Sequence, residues 1–417
     1  MPFVRFVDQS EIIMTTMTQP TTTTTASRPA LPRWLTTLIP LAALGLLVVL
    51  FATTNPLAAF KSNLPPIEQL TVQRIALEPG RMIVSIVNGG PVPVTIAQVE
   101  VDDAFWLFDI QPSPTLPRLG TATIALNYPW VRGEPHVVTL VTATGATFTG
   151  TVAIAAETPK PGLREFGAYG LLGVYVGILP VALGLLWFPA MRGLGRRGLG
   201  FILALTVGML VFLLIDTFLE AFDVAGDLPG VFQGVPLALF AALLTWLIIM
   251  AISSRRGAVS GDPAANRLWV ATMIAFGIGL HNLGEGLAIG AAFALGEGAL
   301  GSFLVVGFTL HNITEGIGIA APVTRDRPSI WRFVGLALLA GAPAIVGAWI
   351  GGFAFSPLLA VIFLGVGAGA IWQVVVEVIN LLRRDAEKDG LPLVSWINVA
   401  GLLVGLGLMY ATAFLVK

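Results

Sequence analysis

Apolar residues fall along the chain in three regimes, and each predicts a different kind of element. Residues 34–54, WLTTLIPLAALGLLVVLFATT, carry no charge and follow Arg28 and Arg33. That length reaches the roughly 20 apolar residues needed to cross a bilayer core. A signal peptide has a shorter apolar stretch and a small-x-small cleavage site, whereas only NPLAAF follows here, so the segment predicts an uncleaved transmembrane anchor. Residues 55–163 alternate instead, in RMIVSIVN, PVTIAQVEV, TATIALNY, HVVTLVTA and TFTGTVAIA, with EPG, NGGP, PSPTLP and RGEP between them. Short alternating runs separated by Gly and Pro turns predict a small β-sandwich. Within 164–417, apolar stretches recur at 169–190, 199–222, 235–252, 268–294, 298–322, 331–354, 357–382 and 393–416, which predicts eight further membrane helices. Residues 1–33, with the run Thr21 to Thr25 and scattered Pro, lack the apolar periodicity of a core and predict a disordered cytoplasmic tail.

Composition agrees with the pattern. The 417 residues have a mean hydropathy of +0.85, are 55% hydrophobic and only 11% charged, against about 25% charged in soluble domains. The net charge of −1 gives no basic surface for nucleic acid. With no cysteine, disulfides, thiolate metal sites and catalytic thiols are all excluded, so a metal would have to be held by His, carboxylate, amide or thioether. Arg192, Arg196, Arg197, Arg255, Arg256, Arg267, Arg325, Arg327, Arg332, Arg383, Arg384 and Lys388 all fall in alternate loops of the helical region, and loops 223–234, 295–297 and 355–356 hold no Lys or Arg. By the positive-inside rule the basic loops and the N-terminus are cytoplasmic, and the β-domain and C-terminus are extracytoplasmic.

Two copies of one motif carry the candidate chemistry: His281-Asn282-Leu283-Gly284-Glu285-Gly286 and His311-Asn312-Ile313-Thr314-Glu315-Gly316. Each reads H-N-x-x-E-G. Residues four apart share a helix face, so each His and Glu can address one ion, and both motifs lie inside apolar spans where ionisable groups are costly. Imidazole and carboxylate together suit Zn, Fe(II), Mn or Cd better than Cu(I), and disfavour Mg or Ca only weakly. The plainer alternative, that each His caps a polar patch while each Glu bonds a neighbouring helix, loses ground because the motif is duplicated. Gly277, Gly279, Gly286, Gly290, Gly316 and Gly318 read as close-packing positions, with local unwinding around an ion as the alternative. His136, at a strand start, reads as an exposed structural residue without a role.

The paired motifs resemble the signature helices four and five of the ZIP (Zrt/Irt-like) metal-ion transporters, and the resemblance covers about residues 165–417. It implies an eight-helix core arranged three, two and three with an inverted repeat, zinc as the leading cargo, and a homodimer in the plasma membrane. It implies further that His281, Glu285, His311 and Glu315 are inner ligands, with the two glutamates able to bridge a second metal to which Asn282 and Asn312 contribute. In the second core helix, Gly208-Met209 and Asp216-Thr217-Phe218-Leu219-Glu220-Ala221 stand where the family often has G-x(7)-H-L-x-P-E-A. Met209 then becomes a thioether ligand, and Asp216, Glu220 and Asp223 line an entry path; a carboxylate-bearing helix end near the outer surface is the alternative. Glu377, in the seventh core helix, belongs to the path or pairs with a basic residue such as Arg383. The sequence also departs from the family. Gly341-Ala342-Pro343 lacks the Glu that usually precedes this proline, Gly284 and Thr314 replace the proline before each motif Glu, and loop 253–267 has no His.

Two other function classes compete. An intramembrane metallohydrolase also uses His and Glu at helical spacing, but its H-E-x-x-H pattern is not matched. A membrane metal sensor signalling through the β-domain would bind metal without net flux.

Overall fold

The computed structural model describes residues 33–54, 67–257, 262–296, 298–390 and 392–416. The tail expected over 1–33 lies, apart from Arg33, outside them. Helix α1 (Arg33–Thr54) covers the segment expected to be the anchor and has Pro40 inside it, past the first turn, where the missing N–H removes one helix hydrogen bond. Eight longer helical paths follow: α2 (Leu163–Arg192), α3 (Arg196–Gly226), α4 (Gly234–Gly257), α5 (Pro263–Ala294), α6 (Gly298–Ala320), α7 (Ile330–Ala354), α8 (Pro357–Asp389) and α9 (Trp396–Val416). Among the described residues seven helices, all of these but α5, are long and apolar enough to cross a membrane. The fold is thus that of a membrane-embedded, mostly helical protein with an N-terminal β-sheet domain. Helix α5 is 32 residues long, but the polar motif and Arg267 lower its hydropathy.

The β-domain comprises β1 (Leu70–Glu78), β2 (Arg81–Asn88), β3 (Val94–Val101), β4 (Ala104–Trp106), β5 (Phe108–Gln111), β6 (Thr115–Leu116), β7 (Thr121–Leu126), β8 (His136–Thr142) and β9 (Thr147–Val152). Two antiparallel sheets form, ordered β1-β2-β7-β5 and β4-β3-β8-β9, with β6 added beside β3. Alternation supplies one core from both: Met82, Val84, Ile86 and Ile124 from the first sheet meet Val94, Val99, Val138 and Leu140 from the second. The β3–β4 hairpin turns on Asp102 and Asp103, both at positive φ (51° and 64°), as a two-residue turn of this hand requires.

His136 departs from the sequence reading, because it is buried rather than exposed. Its Nδ1 lies 2.7 Å from Asp102 Oδ2, which also accepts the Tyr128 hydroxyl at 2.7 Å, while the Val137 N–H donates to Asp102 Oδ1 at 2.9 Å. The imidazole is covered because β3 and β8 are paired and the turn folds its carboxylate back over the strand start. Slight burial raises the Asp102 carboxyl, but the hydrogen bonds from Tyr128, Val137 and His136 outweigh it and hold the group below its ordinary value of 3.8. The hydrogen bond to Asp102 pushes the Tyr128 phenol up to about 12.

In the helical region, glycine decides which helices approach closely. The backbones of α5 and α7 interlock, since a Cβ on Gly286 or Gly290 would run into the carbonyls of Ala344 or Ala348, and one on Gly347 or Gly351 into those of Leu283 or Leu287. Gly184 of α2 and Gly316 of α6 seat against each other in the same way, and Gly341 of α7 lies where an added Cβ would be 2.5 Å from Ile178 Cα of α2. These contacts join α2, α5, α6 and α7 into one group. A second group forms as α3 packs on α9 through Gly208, Gly401 and Gly405, and α4 packs on α8 through Gly365 and Gly369. The packing role read for the six motif-region glycines fits this, because each has backbone or side chain where a Cβ would stand. The β-domain rests on the loops at one end of the bundle: an added Cβ on Gly89 would be 2.5 Å from Pro229, and one on Gly296 would be 3.3 Å from the Ile154 carbonyl.

Two tests follow from the fold. Asp102→Asn preserves a residue that tolerates positive φ but removes the charge, so β-domain stability should fall by about 1 kcal/mol in thermal melts, and the Tyr128 titration, followed by absorbance, should move from about 12 toward 10.0. In the wild type, the Asp102 contribution is present above pH 3.8 and is lost as pH falls through its depressed pKa; the Tyr128 contribution is present below pH 10.0 and is lost as pH rises through about 12. Gly347→Val should lower the melting temperature in detergent by an amount corresponding to about 1–3 kcal/mol, because the α5–α7 backbones have to separate. Melting at the wild-type temperature would contradict the close approach.

Candidate metal centre

The site is assembled from two helices and held by two others. Antiparallel α5 and α6 each carry one motif, and all six of His281, Asn282, Glu285, His311, Asn312 and Glu315 are buried. Burial is possible because the asparagines anchor the motifs to broken helices. Pro180 has no N–H, so the Val176 carbonyl four residues before it loses its helical donor, within a π-bulge over Val174–Ile178. Asn312 Nδ2 donates to that carbonyl at 3.0 Å. Helix α7 is likewise interrupted at Gly341–Pro343, and Asn282 Nδ2 donates to the Ala340 carbonyl beside the break at 3.1 Å. Each motif glycine then seats on the same partner helix just beyond its interruption, Gly316 at Val181 and Gly286 at Ala344. Asparagine and glycine thus fix position, which leaves histidine and glutamate facing inward.

The inward groups cross-connect. Glu285 Oε1 accepts a hydrogen bond from His281 Nε2 at 3.1 Å and another from His311 Nε2, while Oε2 accepts from Asn312 Nδ2 at 3.0 Å. The carboxylate of the first motif therefore ties together both motifs. Glu315 differs, since neither of its oxygens makes a close hydrogen bond: the Asn282 amide faces it but is given to the Ala340 carbonyl, and the Oδ1 atoms of Asn282 and Asn312 are also buried without a partner. Unpaired polar atoms are uncommon in protein interiors, and a buried carboxylate without a donor is especially costly. A bound cation relieves that cost. His281, His311 and Glu315 can each offer a ligand atom, all within 4.8 Å of one another. A tetrahedral ion with bonds of about 2.0–2.2 Å is reached from there by modest side-chain rotation. The group can accept a metal ion, and its nitrogen and oxygen donors fit a divalent transition ion better than a hard alkaline-earth ion.

The remaining sequence candidates separate by position. Met209 is buried and shares a narrow pocket with His311 and Glu315. Glu220, half-buried on α3, is in electrostatic reach of Glu285, Asp216 and Asp223; Asp216, Glu220 and Asp223 share one face of α3 at helical spacing, and Asp223, nearest its C-terminal end, is exposed. Glu377 lies on the opposite side, where it accepts from Ser253 Oγ at 2.6 Å and Gln373 Nε2 at 3.1 Å. Arg383, its suggested partner, pairs with Glu387 instead. Ala342 stands at the α7 break and offers no carboxylate there. Sequence reasoning did not find Met409, which lines the same pocket as Met209, or the carbonyls of Val176 and Ala340 that orient the asparagines. The two prolines were the available signal for the carbonyls.

Removing the unpaired carboxylate should weaken metal binding more than it weakens the fold. Glu315→Gln is expected to reduce Zn²⁺ affinity, measured by calorimetry on purified protein, by at least about 10–100-fold, with an unchanged melting temperature in the absence of metal. Equal affinity in variant and wild type would exclude Glu315 as a ligand.

The chain matches no protein-family model and no curated protein. What stands is therefore the site itself: a buried histidine and glutamate group that can bind a metal, inside a membrane-embedded helical bundle.

Proposed function

We propose that this protein is a ZIP-like transporter that moves divalent transition-metal ions, foremost Zn²⁺, across the plasma membrane into the cytoplasm. The observation that carries this reading is the unpaired Glu315 carboxylate beside His281 and His311, deep among apolar helices. Ionisable groups so placed are costly and belong to an ion's path or to a pump-like relay. Several features support a pathway rather than a static structural site. The acidic line Asp223, Glu220, Asp216 leads in from the β-domain side. On the basic-loop side, Arg267 pairs with Asp326 at 2.5 and 2.8 Å, and Arg325 with Asp385 at 3.5 Å.

In this reading, a partly dehydrated ion arrives along the carboxylates, takes His281, His311 and Glu315 as ligands, and competes with the imidazoles for Glu285. Nε2 nitrogens that donate hydrogen bonds to Glu285 have to lose those hydrogens to coordinate metal through the same atoms, to Nδ1 by tautomer exchange from a neutral ring or to solvent from a protonated one. Asn282 and Asn312 keep their amide donors on backbone and have Oδ1 free for a second ion, although Ala342 removes one carboxylate from such a centre. Delivery follows when the group α2, α5, α6 and α7 rocks against the group α3, α4, α8 and α9, the inverted-repeat way of exposing a midplane site to alternate sides. The equivalent anchoring of the two motifs, to α2 and to α7, is what an inverted repeat would produce. A homodimer follows from the family resemblance. The β-domain has no assigned partner.

A hydrolase reading lacks the second histidine that each helix would need, and no observation favours a sensor over a transporter. The test is Zn²⁺ uptake into proteoliposomes followed by an internal dye. Wild-type protein is expected to accumulate metal, and Glu285→Ala or Glu315→Ala to reduce the rate to the protein-free background. Uptake at the wild-type rate in either variant would refute the site; metal binding without uptake in the wild type would favour the sensor.

A further inference from the structure

We propose that Met409 is a second thioether ligand of this centre, paired with Met209, and that the pair gives soft divalent ions such as Cd²⁺ an advantage over harder ones such as Mn²⁺. The inference rests on the metal-binding reading and specifies the donor set of that same site.

Helices α3 and α9 run in the same direction in close contact, as an added Cβ on Gly401 would be 2.5 Å from the Phe201 carbonyl, and one on Gly405 would meet the Leu205 carbonyl. The two contacts advance by four residues on each helix, and Gly405 also lies where a Cβ would be 3.1 Å from the Met209 nitrogen. One more helical turn along both helices sets Met409 beside Met209. Both side chains are 4% exposed, so neither faces lipid. Both line one pocket with Thr206, His311, Thr314 and Glu315.

A buried methionine commonly serves as flexible packing, and most in this chain need no other explanation. What distinguishes this pair is its company. In the same pocket Glu315 has two oxygens without partners, and the hydroxyl hydrogens of Thr206 and Thr314 are given to the carbonyls of Ile202 and His311. Beside these two neutral hydroxyl oxygens, the pocket offers a cation an imidazole, a carboxylate and two thioethers. Sulfur donors favour soft ions, and the loss of a hard oxygen donor at Ala342 shifts the balance in the same direction.

The absence of cysteine makes the test unambiguous, because the nine methionines hold all the sulfur in the chain. X-ray absorption at the cadmium edge, on full-length protein carrying one equivalent of Cd²⁺, is expected to show two sulfur neighbours in the wild type and one in either Met409→Leu or Met209→Leu. Leucine keeps the volume and apolar character, so the fold is retained. Met409→Leu should also lower the affinity for Cd²⁺ relative to Mn²⁺ by about tenfold. The proposal is overturned if Met409→Leu keeps the wild-type sulfur count, or if the wild type shows fewer than two sulfurs, which decides the matter even should the variant misfold. Cd²⁺ bound with nitrogen and oxygen neighbours alone would leave the metal centre standing and remove the thioether pair. Failure of Cd²⁺ and Zn²⁺ to bind at all would remove the metal centre and, with it, this inference.

Discussion

The Glu285 carboxylate sits between the imidazoles of two different helices, and that shared acceptor is the interaction on which the centre depends. Away from water, a carboxylate is stable only when donors surround it, and here His281, His311 and Asn312 supply three. The arrangement fixes the relative rotation of α5 and α6, because both motifs contribute to one oxygen pair. It also leaves the second glutamate without a close donor. The two copies of the motif are therefore not equivalent in chemistry: Glu285 is the acceptor shared by the histidines, and Glu315 makes no close hydrogen bond.

Close backbone contact makes this possible. Asparagine reaches a main-chain carbonyl on a neighbouring helix when the helices nearly touch, and the bond gains most where that carbonyl is short of a helical donor. The first condition is met by Gly286, Gly316, Gly341 and Gly347, whose missing Cβ atoms leave room for the neighbouring backbone. The second is met by Pro180 and by the break before Pro343. Glycine, proline and asparagine therefore work as one device, repeated on both sides of the site. Removing any one of the three members on either side leaves a polar group exposed to an apolar interior, where such groups cannot turn to water.

The β-domain obeys a different logic. Its core follows strand alternation, and its one buried histidine is stabilised by a carboxylate from a tight turn. It touches the bundle at the loops after α3 and α5, through Gly89 on Pro229 and Gly296 near Ile154. Those loops belong to the two different helix groups, so the domain spans the end of the bundle toward which the line of carboxylates points.

Sequence by itself determined the elements and the chemistry available to them. Hydropathy marked α1 to α9, and alternation marked β2, β3, β7, β8 and β9 but not β1 or the short β4, β5 and β6, because burial against lipid or against a sheet leaves a periodic record only where enough neighbouring residues share it. The H-N-x-x-E-G pair was legible for the same reason: spacing by four puts His and Glu on one face regardless of what surrounds the helix. Only the tertiary structure decided that Glu285 would serve both histidines, that Glu315 would be left unpaired, that Glu377 would turn to Ser253 rather than Arg383, that His136 would be buried, and that Met409 would stand beside Met209. Each of these depends on how segments tens to hundreds of residues apart cross and settle in register. That register is set by where backbones can touch, which neither hydropathy nor motif spacing encodes.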